Sequence, residues 1–257
     1  MSNTEEFNLL KQELPKVTIG GRQYWLAQGD LRLDLSQLIT YAIQRVEART
    51  AALPSSDSTK GLILDLVEDD GDWIRNTWEP GVQLTWWLDP KGFTADQVWA
   101  LKANLTAAGQ VWNAACNVEF SAAATEADAV FRVEKHEDLG DAAAVAFFPK
   151  DPVESRVLVV GPVYFTTEMD PVGIFRHEFG HILGFRHEHI HWDAPATCDP
   201  DSSLGKIEHL TNYSPDSCMH YPCYPGRREE QRKFILSISD IAGAREIYGP
   251  PEIPPCV

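Results

Sequence analysis

Three histidines in the run His177-Glu178-Phe179-Gly180-His181-Ile182-Leu183-Gly184-Phe185-Arg186-His187-Glu188 constrain this chain more than any other feature. The pattern is H-E-x-x-H-x-x-G-x-x-H. Positions four apart lie on one face of a helix, so His177 and His181 can aim imidazole nitrogens at a common point. Gly184 lets the chain leave the helix in a conformation costly for other residues, and His187 then returns to that point as a third ligand. Three imidazoles form a donor set for Zn2+. Three protein ligands also leave one coordination position open, which marks a catalytic rather than a structural site. Glu178 projects beside the pair, suited to take a proton from a metal-activated water rather than to bind the metal. With this composition, a chance match to the five fixed residues is on the order of 10⁻⁵ to 10⁻⁴. The ordinary explanation of a lone histidine, a surface or satisfied core residue, therefore fails for the set.

Some thirty residues further on, Ser217-Cys218-Met219-His220-Tyr221 has the form of the methionine turn that underlies the zinc in metzincin proteases. The chain has three methionines, one of them the initiator, so Met219 at this distance behind the histidine run is informative. Glu188 after the third histidine, Phe185 before it and the Ser217–Tyr221 turn together resemble the astacin branch of that clan. The resemblance implies an α+β fold: a metzincin-like zinc protease domain with a mixed, twisted sheet, long helices and a methionine turn, preceded by a small helical pro-segment. It also implies a zinc-dependent endopeptidase acting on polypeptides. Tyr221 would approach the zinc as an extra ligand and swing away to stabilise the oxyanion, a role a phenol suits because it can donate to developing negative charge. A tyrosine merely packed beside the site is the plainer alternative.

Two further residues take roles from the same resemblance. Glu188 would meet the new N-terminus through water after cleavage near residues 60 to 75, or else anchor its loop by ordinary hydrogen bonds. Tyr24-Trp25-Leu26-Ala27-Gln28-Gly29-Asp30 resembles the F-x-G-D element of astacin pro-segments, whose aspartate fills the zinc position meant for water. Ala27 stands where the phenylalanine is expected, and Gly29-Asp30 is equally an everyday turn. No cysteine precedes Cys116, so a carboxylate is the anionic zinc ligand this segment can offer. The chain departs from animal astacins at His189-Ile190-His191-Trp192-Asp193 and in lacking their cysteine framework, which makes it a divergent, bacterial-type relative.

A net charge of −16 argues against nucleic acid or an anionic membrane as partner, since both would be repelled. No run of eighteen apolar residues spans a membrane. The first ten residues lack the basic and apolar regions of a secretory signal, so secretion is expected from the resemblance alone. Five cysteines leave at least one unpaired; Cys198 and Cys223 bracket the segment around the turn and are the favoured disulfide, with cysteine metal binding the alternative. Arg227 and Arg228 are read as surface residues, or as a preference for acidic substrate side chains. Nothing in the sequence sets an oligomeric state.

The chain divides into residues 1–70, a pro-segment and linker, and 71–257, the catalytic domain. Leu35, Leu38, Ile39, Ala42, Ile43 and Val46 recur at helical spacing, residues 51–60 have linker composition, and the acidic run Glu68–Asp72 reads as solvated linker, with calcium binding the alternative. Strands are expected over 82–88, 118–120, 129–133, 143–148 and 156–160, and helices after Thr94, Asp170 and Ser237. Residues 143–148 are the candidate edge strand for an extended substrate. Two rival readings remain: a catalytically silent zinc fold that binds peptides, and a zinc amidase acting on a non-protein amide.

Overall fold

Turn and capping chemistry sets the element boundaries. The computed structural model describes residues 2–50, 62–191, 194–195, 206–221 and 233–252. Helix α1 (Asn3–Glu13) opens on a capping box between Ser2 and Glu5. Strands β1 (Lys16–Ile19) and β2 (Arg22–Ala27) form a hairpin closed by Gly20-Gly21, with φ of 57° and 78°. Both angles suit the primed turns that match strand twist. Strand β3 (Leu31–Leu33) pairs back onto β2, and α2 (Leu35–Thr50) follows. This segment is thus mixed α and β rather than only helical. Val17, Ile19, Tyr24 and Leu26 alternate onto one face of the small sheet and pack against Leu139, Val145, Val157 and Val159. Its other face carries Trp25, Ala27, Leu31 and Leu33 against Leu10, Leu38 and Tyr41 of the two helices.

Arg32 fastens this unit to the rest. Its guanidinium is buried, donates to the carbonyls of Val157 (3.1 Å) and Ser155, and pairs with Asp151 at 3.0 Å. Nearby, Tyr24 donates its hydroxyl to Ser155 Oγ at 2.6 Å.

Strands β4 (Ile63–Asp69) and β5 (Asp72–Arg75) form a hairpin whose turn, Asp70-Gly71, has φ of 48° and 89°. The acidic run expected as linker is therefore a hairpin tip; an Asp-Gly pair between two extended runs is a hairpin signal in its own right. The linker-like residues 51–60 lie outside the described residues.

The central sheet contains β6 (Val82–Leu88), β7 (Val118–Ala122), β8 (Phe131–Lys135), β9 (Ala144–Val145) and β10 (Val157–Val160), in the order β7-β6-β8-β10-β9. All neighbours are parallel except the edge strand β9, which runs antiparallel to β10. The expected strand over 143–148 contracts to these two residues. Helix α3 (Ala95–Ala115) starts at the Thr94–Gln97 capping box and α4 (Pro171–Ile182) at Asp170, with Pro171 first in the helix. Strands β11 (Phe185–Arg186) and β12 (Ile207–His209) both pair antiparallel with β4, and α5 (Ile238–Tyr248) ends at Gly249. Among the described residues no helix is long and apolar enough to cross a membrane.

Helices α3 and α4 pack together over the sheet. Trp112 donates its indole N–H to the Arg176 carbonyl at 2.9 Å. Phe120 stacks on Phe179 with centroids 4.3 Å apart, and burying such a ring contributes about 1.5–3 kcal/mol. Gly109 makes this closeness possible, because a Cβ there would stand 2.8 Å from Cβ of Phe120. Gly109→Ala is expected to lower stability by about 1–3 kcal/mol through overpacking. The urea midpoint should fall at unchanged slope; an unshifted midpoint would show that α3 and β7 can separate freely.

Candidate metal centre

Helix α4 carries His177 and His181 on its buried face, one turn apart. The helix stops at Leu183, and Gly184 follows with φ of 95°. A Cβ on Gly184 would lie 2.2 Å from the Asn76 carbonyl oxygen, so both backbone and space demand glycine. Strand β11 then leads directly to His187. The two-residue ladder with β4 fixes where that third imidazole sits.

The three Nε2 atoms meet, and the fourth member of the group is Asp30, from the turn between β2 and β3. Nε2 of His187 is 3.3 Å from that of His177 and 3.2 Å from that of His181. Asp30 Oδ1 is 2.9 Å from His187 Nε2, and Oδ2 is 3.1 Å from His177 Nε2 and 3.8 Å from His181 Nε2. All four side chains are 2 % exposed or less.

Hydrogen bonding on the far side of each ring fixes the tautomers. Nδ1 of His177 is 2.7 Å from the Cys218 carbonyl, and Nδ1 of His181 is 2.7 Å from the Phe185 carbonyl. Nδ1 of His187 is 3.1 Å from Gln28 Oε1. These oxygens only accept, so each Nδ1 carries the proton and each Nε2 presents a lone pair. Three lone pairs and a carboxylate, with ligand atoms within 4.8 Å of one another, form a donor set for a divalent cation. Ligands about 2.0–2.1 Å from Zn2+ at tetrahedral corners stand about 3.3 Å apart, which matches the nitrogen separations.

Electrostatics agree with that protonation pattern. Burial holds His181 below its ordinary value and His187 well below it, so both rings stay neutral. Burial opposes ionisation of Asp30, and positive charge facing it, on His187 foremost, holds the carboxyl well below the usual range; with the rings neutral, that charge would fall to a bound cation. Burial, and then the Asp30 charge, pushes Glu178 well above the carboxylate range. Tyr221 donates its hydroxyl to Asp30 Oδ2 at 2.6 Å, and burial together with the two carboxylates pushes that phenol up.

The Ser217–Tyr221 turn supports the cluster from one side. Met219 is fully buried, with its sulfur 2.3 Å from where a Cβ on Gly180 would be, so α4 and the turn touch through a missing methyl. Asp240 holds the turn in place: Oδ1 accepts from Ser217 Oγ (2.5 Å) and Oδ2 from Cys218 N (2.9 Å), while the same side chain accepts from Ser237 N at the start of α5. The sequence marks Ser237 as the start of this helix and gives no sign of the task of Asp240 at the turn. It also names no partner for the Nδ1 protons. Glu188 accepts from Ser214 N at 2.7 Å, and its loop bonds through Glu188 N to the Met219 carbonyl at 2.9 Å. Cys116 and Cys218 are buried and free, whereas the expected Cys198–Cys223 pair and Arg227 and Arg228 lie outside the described residues.

A cavity of about 420 Å³ opens beside His177, Glu178 and Tyr221. Met169, Ile174 and Phe234 form one wall, Ala142 to Ala144 another, and Leu26 and Gln28 of the N-terminal unit close it.

No protein-family model and no curated protein matches the sequence. Among solved structures the chain is similar to two of myroilysin, both at 18 % identity. One has a TM-score of 0.48 over 67 % of this chain and 95 % of the other, and the second a TM-score of 0.47 over 76 % and 93 %. High choriolytic enzyme 1, a hatching-enzyme zinc protease from the medaka Oryzias latipes, aligns at 18 % identity with a TM-score of 0.42, over 67 % of this chain and 94 % of its own. In its histidine run and the turn behind it, the chain resembles astacin-like zinc metalloproteases.

Burial pushes the Glu188 carboxyl up from 4.5 to about 9. The folded chain keeps this proton where the unfolded chain has lost it, so the group lowers stability as pH rises across that window. Glu188→Gln removes the titration. Wild-type melting temperature should therefore fall relative to the variant between about pH 4.5 and 9, and parallel curves would refute the shift.

Proposed function

We propose that the chain is an astacin-like, zinc-dependent endopeptidase made in a latent form that Asp30 holds closed. The observation that carries this reading is the convergence of three imidazole nitrogens and one carboxylate beside the buried carboxyl of Glu178. His177, His181 and His187 would hold the metal, with Asp30 at the fourth corner. Zn2+ bound there supplies Lewis-acid polarisation and makes a water acidic near neutrality.

Glu178 is the proton carrier. Once Asp30 withdraws, the charge that helps keep Glu178 protonated leaves with it, and the freed carboxylate would accept the proton of the attacking water and hand it to the leaving amine. Tyr221, whose hydroxyl now donates to Asp30, would donate to the oxygen of the peptide carbonyl once that aspartate withdraws. An extended substrate would add to the sheet at β9, which pairs with β10 alone among the described residues. The adjoining wall of Met169, Ile174 and Phe234 suits an apolar side chain.

The removable piece would end just ahead of β4. Leu62 and Leu64 are buried in the main core and β4 joins β11 to β12, so residues from 62 onward support the site itself. The Leu62 backbone N–H lies near Glu188, whose buried Oε2 has no hydrogen-bond partner among the described residues, which supports meeting of a new chain end with that carboxylate. Between the rivals, an intact and buried Glu178 favours catalysis over silent binding, and the open strand edge favours peptides over other amides.

Glu178→Ala is expected to keep near-stoichiometric zinc while losing casein hydrolysis by several orders of magnitude; cleavage at the wild-type rate would overturn the mechanism. Asp30→Ala should give a chain that is active, or processes itself, without added protease. Latency is refuted if full-length wild type already shows the specific activity of a chain lacking residues 1–61.

A further inference from the structure

The three histidines differ in who holds them. His177 and His181 give their Nδ1 protons to backbone carbonyls of the main body, at Cys218 and Phe185. His187 gives its proton to a side chain of the N-terminal unit, Gln28, at 3.1 Å. Gln28 adopts φ of 55°, where a side chain is costly and glycine is at ease, and Gly29 beside it has φ of 97°. A strained, side-chain-bearing residue two positions before Asp30, aimed at the back of a histidine in the cluster, is an outlier that asks for a function.

We infer that Gln28 is a positioning residue for the metal: by orienting His187 from behind, it makes the N-terminal segment a device that retains zinc as well as one that blocks the site. The inference rests on the zinc reading given above. Asp30 and Gln28 sit on the same turn, so one departing segment removes both a ligand and the outer partner of another ligand. The processed chain consequently holds its metal less tightly than the full-length chain, by more than the Asp30 contact alone accounts for. Outer hydrogen bonds of this kind are worth about 10- to 100-fold in metal affinity.

Chelator competition on full-length protein tests this, with wild type, Gln28→Gly, Gln28→Glu and Asp30→Ala compared. Gln28→Gly removes the hydrogen bond while relieving the backbone, so a merely structural residue would leave zinc binding intact. The expected result is a zinc Kd raised about 10- to 100-fold, with the metal-free melting temperature no lower than that of wild type. Gln28→Glu still accepts the Nδ1 proton and should stay within a few-fold of wild type. Wild-type affinity in Gln28→Gly, or equal loss in Gln28→Gly and Gln28→Glu, overturns the inference. A wild-type chain that binds no zinc would remove the reading of the centre itself, and the role of Gln28 with it. A defect in Asp30→Ala alone would leave that reading standing and remove only the role of Gln28.

Discussion

The protons on three Nδ1 atoms decide what the centre can be. Each is given to an oxygen that cannot donate back, so each opposite nitrogen faces inward with a lone pair. Everything around the cluster serves that alignment. Gly184 brings the chain out of α4 against the Asn76 carbonyl, the ladder between β4 and β11 sets His187, and Asp240 fixes the turn whose Cys218 carbonyl orients His177. The buried carboxyls follow from the same enclosure: burial raises the proton affinity of Glu178, the charge of Asp30 adds to it, and Asp30 itself ionises only against positive charge at the cluster.

Much of this centre was legible in the sequence because it depends on local spacing. The three histidines, Glu178 and the exit at Gly184 lie within one helix and its first turn beyond, where four-residue spacing translates directly into a shared face. Helix starts at Thr94, Asp170 and Ser237 were legible for a similar reason, since a capping side chain reaches only two or three residues. The Ser217–Tyr221 turn stood out by its residues, but its attachment to α4 through Gly180 did not, because that contact depends on a missing methyl and a sulfur from opposite ends of a loop.

Long-range pairing was the part that sequence could not supply. Residues 16–33 form a sheet because alternate apolar side chains find a surface on β9 and β10, more than a hundred positions away. The Asp70-Gly71 turn was readable as a hairpin, yet five acidic-run residues with high charge pulled the reading toward solvent. Asp30 was singled out by a short pattern with one mismatch; that its carboxylate lies among three imidazoles depends on the whole N-terminal unit docking in one orientation. Gln28 stands at the unspecified position of that same pattern, so its residue type carried no signal.

The clamp around Arg32 has a consequence for the latent reading. Its guanidinium is gripped by two carbonyls and Asp151 beneath the surface, with the Tyr24–Ser155 hydrogen bond and an apolar sheet face alongside. Cutting the chain ahead of β4 removes none of these contacts. It removes only the tether, and with it an effective local concentration on the order of millimolar. On the latent reading, the severed piece would then be a dissociable inhibitor. Onset of activity should be governed by its off-rate and by dilution, and should respond little to salt because the ion pair holding it is screened from solvent.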